Sequence, residues 1–168
     1  EALMRSGDHT NALARFRDLS SVTNTRGVLR VPAMYWTVRS ALALENLNLA
    51  EAAAQELAGR ESSSIRVGEA LLLVSQAQAD ANRTATARAT LEALRGQLPS
   101  GNLAEQEPLE RARISVKEMQ FRQAARLYEA WLENTTTNHP GRVGVMFDLG
   151  WVYSLDGNFK VFCKREDL

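Results

Sequence analysis

The chain repeats one short layout: a polar turn, then a helix carrying a small residue and a large apolar residue four positions apart, on one face. Gly7 to Phe16 supplies the first copy, with Ala12 and Phe16 so spaced and Leu19 continuing the face. Asn48 precedes Ala53 and Leu57, Asn82 precedes Ala87, Leu91 and Leu94, and Met119-Gln120-Phe121 precedes Ala124, Tyr128 and Trp131. Ala53, Ala87 and Ala124 are separated by 34 and 37 residues. Ala12 to Ala53 is 41, which reads as an insertion in the connection from Ser20 to Val31. A self-similar period in this range describes a stack of small units, because one hairpin cannot bury its own apolar face and needs its neighbours to do so.

A second amphipathic helix precedes each turn, with small residues where two helices must approach closely: Ser40 and Ala41, then Val74 and Ser75, then Ala112. The patterning predicts helices over Thr10–Leu19, Pro32–Glu45, Ala50–Arg60, Ile65–Ala81, Thr84–Gln97, Leu103–Glu118, Phe121–Asn134 and Arg142–Leu155. Pro32 and Pro108 suit first-turn positions, where a missing N–H costs little. Gly7 and Gly157 suit left-handed residues that end a helix.

The fifth copy, Leu149-Gly150-Trp151-Val152-Tyr153-Ser154-Leu155-Asp156-Gly157-Asn158-Phe159, resembles the first helix and turn of a tetratricopeptide repeat (TPR). That family sets Leu-Gly, an aromatic residue, then Gly with an acidic or amide residue and a second aromatic, on a period of 34 residues. The copies here are degenerate: the second turn lacks glycine, the fourth uses Met119, and only Pro99 stands where the family often places a closing proline. The resemblance implies an all-α, right-handed superhelical solenoid of antiparallel helix pairs spanning 1–168. The units fall at 1–31 (incomplete), 34–67, 68–104, 105–142 and 143–168 (incomplete, with an aberrant tail at 160–168).

Composition narrows the function classes. With 45% hydrophobic and 24% charged residues the chain is an ordinary globular sequence, and 20 basic against 20 acidic residues give no global pull toward nucleic acid. No apolar run is long enough for membrane insertion. The single Cys163 excludes an internal disulfide and leaves both cytoplasm and periplasm open. Arginine outnumbers lysine 17 to 3 amid abundant alanine, which by association points to a bacterial source.

Chemistry-bearing patterns are missing. His9 and His139 are expected in exposed connections, and no His-x-x-x-His or Cys-x-x-Cys spacing exists for a metal. Gly141-Arg142-Val143-Gly144 lacks the Lys-Ser/Thr ending of a phosphate loop. Glu105, Glu107 and Glu110 gather at a helix start, where the helix dipole favours negative charge. No catalytic, cofactor-binding or metal-binding residue is assigned, and the chain is read as a non-enzyme without cofactors.

Phe16, Tyr128, Trp131 and Tyr153 are expected in the core. The stripe opposite the packing face of each first helix is expected to line a concave groove: Tyr35, Val38 and Leu42; Glu69, Leu72 and Gln76; Leu109, Arg113 and Val116; Phe147 and Trp151. Its mixture of apolar and polar groups suits a peptide or helix of a partner protein. The alternative is a helical structural or regulatory region of a larger bacterial protein, such as a lytic transglycosylase superhelix, a transcriptional regulator or a polysaccharide-export component, which fold analogy cannot separate. At the C-terminal end, Phe147, Leu149, Trp151 and Tyr153 are expected to lack cover, because the tail after Phe159 is too short for a second helix; self-association through that end is the expected consequence.

Overall fold

The computed structural model describes residues 7–21, 27–62, 64–97 and 101–157. Among them the structure is entirely helical, with α1 His9–Ser21, α2 Gly27–Ala43, α3 Leu47–Arg60, α4 Ile65–Asp80, α5 Thr84–Gly96, α6 Asn102–Lys117, α7 Phe121–Asn134 and α8 Arg142–Leu155. The chain forms two compact units, Glu1–Pro99 with α1 to α5 and Ser100–Leu168 with α6 to α8. In the first unit α2 packs on α1, α3 and α4, while α4 also packs on α3 and α5. In the second, α7 lies between α6 and α8. The expected aberrant tail at 160–168, with Cys163, lies outside the described residues.

One turn recurs and sets the register. Gly7, Glu45, Asn82, Met119 and Gly157 all have positive φ, between 55° and 79°, so this left-handed position returns at intervals of 38, 37, 37 and 38 residues. In three copies two backbone bonds close the turn: Asn46 N–H to Ala41 O (2.9 Å) with Glu45 N–H to Leu42 O (3.0 Å), Arg83 to Gln78 (2.8 Å) with Asn82 to Ala79 (3.0 Å), and Gln120 to Ser115 (2.8 Å) with Met119 to Val116 (2.9 Å). This pairing satisfies carbonyls that a helix C-terminus otherwise leaves without donors. Glycine is not required, since the two recovered hydrogen bonds offset the strain of a left-handed side chain.

This register corrects the alignment of the alanines. Five residues after each left-handed position stand Ala12, Ala50, Ala87 and Ala124, all fully buried. Ala50, not Ala53, is therefore the crossing residue of the second copy, and the connection before it carries no insertion. The second turn uses Glu45, while Asn48 lies inside α3 and Asn46 caps that helix by accepting from Leu49 N–H (3.1 Å). The run Ala52-Ala53-Ala54 hid the register, because several small residues fit one close approach equally well.

Twelve residues after the turn stand Leu19, Leu57, Leu94 and Trp131; the last three are buried and Leu19 is exposed. Burying a leucine of this kind contributes about 1.5–3 kcal/mol. The second unit's core forms around Tyr128, Trp131, Leu132, Val145, Leu149 and Val152. Phe16, expected in the core, is half-buried and stacks on Trp36 (centroids 6.1 Å apart).

Both prolines lie deeper in their helices than expected. α2 begins at Gly27, so Pro32 is interior, and Pro108 is interior to α6. Pro108 has no N–H to give the Ala104 carbonyl, and at the neighbouring Glu105 carbonyl Trp131 Nε1–H donates across from α7 (3.0 Å). Only Glu105 of the acidic trio lies in the first turn. Glu107 pairs with Arg111 along α6 (2.5 Å) and Glu110 is buried, with Arg113 Nη1 3.4 Å from its carboxylate.

Candidate functional site

Four positions define one stripe on α8. Val143, Phe147, Trp151 and Leu155 follow each other at intervals of four, which places them one above another on one helix face. They are 77%, 75%, 58% and 43% exposed. The opposite face holds Val145, Leu149 and Val152 in the core. Tyr153 is half-buried, its hydroxyl donating to Glu129 Oε1 on α7 (2.5 Å). The uncovered face is thus composed differently from expectation. Leu149 and Tyr153 turn inward, because a helix rotates by 100° per residue and neighbours at i±2 cannot share its outer line; Val143 and Leu155 take their places beside Phe147 and Trp151.

The remaining residues of the expected groove separate into two groups. Tyr35, Val38 and Leu72 are buried, so they pack between helices and do not face a groove. Val38 is the residue seven before its turn, equivalent to Ser75 and Ala112, which are also fully buried. Taking Ser40 and Ala41 as the crossing residues displaced the expected stripe in that copy. Tyr35 is covered by α4, whose Arg66 guanidinium sits 4.8 Å from its ring centroid and is fixed by Glu69 (2.6 Å). The hydrogen bond to that carboxylate raises the Arg66 pKa above its ordinary value against the opposing effect of burial, and the Tyr35 side chain adds to the rise. Leu42, Glu69, Gln76, Leu109 and Val116 are half-buried and Arg113 is exposed.

The histidine of the α7–α8 connection, His139, is packed, contrary to the expected exposed loop position. Its ring meets Trp131 edge-on (centroids 5.2 Å, 84°), Nδ1 accepts from Gly141 N–H (3.1 Å), and Nε2 lies 3.3 Å from Glu105 Oε2. With Nδ1 as acceptor, the neutral ring carries its proton on Nε2, facing the carboxylate. The arrangement fastens the loop to the start of α6. Arg142 adds to this by donating from Nη1 to the carbonyls of Leu132 (2.6 Å) and Thr135 (3.2 Å). No cluster of His, Cys, Asp and Glu among the described residues could hold a metal ion.

Sequence reasoning missed a polar chain across α3, α4 and α5. Glu51 receives Gln78 Nε2–H (2.8 Å) and pairs with Arg83 (3.0 Å), and Gln78 Oε1 accepts from Thr90 Oγ1–H (2.8 Å). Gln78 is buried with donor and acceptor both engaged, as an interior amide must be. Its signal was faint: a glutamine four residues before the turn, where other copies carry Ala41, Ser115 and Tyr153.

No family model matches the chain, and no curated protein matches it in sequence. Solved structures do. The chain is similar to BtubC (BKLC) from P. vanneervenii, with 12% identity and a TM-score of 0.76 over 94% of this chain and 70% of that one. It is also similar to a Podosopora anserina protein described as a putative kinesin light chain with nearly identical TPR-like repeats, at 15% identity and a TM-score of 0.71 over 97% of this chain and 86% of that one. A second structure of that Podosopora protein, carrying a substitution, gives a TM-score of 0.72 at the same identity. At such identities the likeness speaks for architecture alone. With the recurring left-handed turn and the paired helices it establishes the fold as TPR-like.

Proposed function

We propose that the chain is a protein–protein interaction scaffold, without catalysis of its own, that takes a helix or peptide of a partner. The observation that carries this reading is the α8 stripe of Val143, Phe147, Trp151 and Leu155, four large apolar side chains in line and bare. Such a line matches the i, i+4 anchors by which helices pack side by side. Aromatic anchors of this kind supply most of the binding energy where they become desolvated. No helix among the described residues is long and apolar enough to cross a membrane, so lipid burial of the stripe by a spanning helix is not in question.

Photo-crosslinking tests the reading. A benzophenone side chain at position 147 should capture a polypeptide from a source lysate, one at Ile65, equally bare on another helix, should not, and Trp151→Ser should abolish capture at 147. Equal capture at 65 and 147 would remove the stripe as the site. Sedimentation velocity separates a second copy of this chain from a foreign partner: dimer lost in Phe147→Ser identifies self-association.

A further inference from the structure

The place that Phe147 takes on α8 is taken on α2 by Tyr35, and there its cover is visible. Both aromatics stand ten residues before a left-handed turn residue, Gly157 and Glu45. What lies on the Tyr35 ring is a cation, the Arg66 guanidinium of α4, 4.8 Å from the ring centroid. A guanidinium is weakly hydrated and an aromatic face is electron-rich, so the pair gains by shedding water. The residue after Tyr35 is Trp36, which brings no charge, and the carboxylate that steadies Arg66 comes from α4 itself, Glu69 at 2.6 Å.

On α8 the carboxylate sits on the receiving helix instead. Gly144, Asp148 and Ser154 are the exposed positions beside the stripe, which makes Asp148 the one ionisable group on that face. Arg142 is half-buried with Nη1 given to two carbonyls, and Asp156 is half-buried with Arg122 Nε 3.6 Å away. The Asp148 carboxylate has neither a hydrogen bond nor an ion pair among the described residues. Its charge acts on the Tyr128 hydroxyl together with those of Glu110 and Arg113 from α6. Two carboxylates against one guanidinium leave this edge of the stripe negative.

That charge argues against a second copy as the occupant. A closed dimer pairs the two stripes antiparallel about a two-fold axis, with Phe147 of one copy on Trp151 of the other and the axis beside Leu149. Asp148 then falls next to the axis in both copies and on the same side, so two carboxylates meet where like charges oppose association.

We propose that the α8 stripe takes a basic amphipathic helix of a partner protein, an arginine of which lies on Phe147 with Asp148 as its counter-ion. The proposal rests on the reading of α8 as the docking face and adds the charge of what docks there. The apolar line of the partner covers Val143, Trp151 and Leu155, and its arginine repeats on Phe147 what Arg66 does on Tyr35.

Helix-stapled synthetic peptides titrated against the full chain by fluorescence anisotropy test this. All carry the same line of leucines at i, i+4 spacing, and the position flanking it holds arginine, glutamine or glutamate. The arginine peptide should bind at least about fivefold more tightly than the glutamine peptide, by a margin that narrows as salt rises, and the glutamate peptide should bind most weakly. Asp148→Asn should cut the arginine advantage to about twofold. Trp151→Ser, at an exposed position, should abolish binding of all three with an unchanged melting curve. If no peptide binds, or if the Trp151 variant binds all three like the wild type, the docking reading fails and this proposal with it. If binding needs Trp151 but arginine gives no advantage over glutamine, or Asp148→Asn leaves that advantage whole, the docking face stands and the basic partner is overturned. A dimer in sedimentation velocity that Phe147→Ser dissociates would make a second copy the occupant and overturn the proposal likewise.

Discussion

Tyr35 on α2 and Phe147 on α8 occupy the same place in the repeat, ten residues before a left-handed turn, and meet opposite fates. Tyr35 is 6% exposed beneath Arg66 of α4, while Phe147 is 75% exposed. The side chains are alike in size and apolarity, so composition does not explain the difference. A residue at this place is core where a further helix lies over it and surface where none does, which is the nearest-neighbour logic of stacked repeats.

The largest effect should come from testing cover itself with two tryptophans. Trp131, buried and bonded to the Glu105 carbonyl, should cost about 3–5 kcal/mol of unfolding free energy when changed to Ala. Trp151→Ala, on the bare stripe, should stay within about 0.5 kcal/mol by urea titration. Comparable losses at both would mean that α8 is covered after all. The pair Tyr35→Ala and Phe147→Ala sharpens the comparison at one repeat position: about 3 kcal/mol for the first and within about 0.5 kcal/mol for the second.

The inner side of α8 can be probed by pH. Burial pushes the Tyr128 hydroxyl up to about 12, with the Asp148 and Glu110 carboxylates adding to the rise and Arg113 opposing it. The unfolded chain loses this proton near pH 10 and the folded chain near 12, so between these values the unfolded state holds fewer protons and stability falls as pH rises. The slope from this group is about 1.4 kcal/mol per pH unit. Urea titrations across the alkaline range should show this fall and Tyr128→Phe should remove its share; an identical pH profile in the variant would count against the packing of α8 on α7.

The smallest effect concerns the register. Ala50→Leu should cost about 1–3 kcal/mol by overpacking the helix crossing, with the same expected for Ala87→Leu and Ala124→Leu. Ala53→Leu, which can extend into the open depression it lines between α1, α2 and α3, should cost less than about 0.5 kcal/mol. Thermal melts of the four variants decide it, and a larger loss at 53 than at 50 would restore the register with an insertion.

Much of the fold was legible because helix periodicity and turn position are local properties. α7 and α8 begin and end at the predicted residues, and Asn82 and Met119 are the turn residues. Where several residues satisfy one local rule, the reading slipped: the alanines of α3 obscured the crossing residue, and Glu45 gave no composition signal for a left-handed turn. The candidate site was half legible. Phe147 and Trp151 were in view from the sequence, but Val143 and Leu155 join them only when the helix is placed with Leu149 inward.

The sequence by itself determined that this chain makes helices, that the helices pair through a recurring turn, and that small residues mark their crossings. Those features depend on neighbours within a few positions, where spacing fixes which side chains share a face. Only the tertiary structure decided which apolar faces are core and which are free, and that Gln78 and Glu51 close a polar chain across three helices. Burial and charge juxtaposition belong to pairs of residues far apart in the chain, and no single helix carries them in its own sequence.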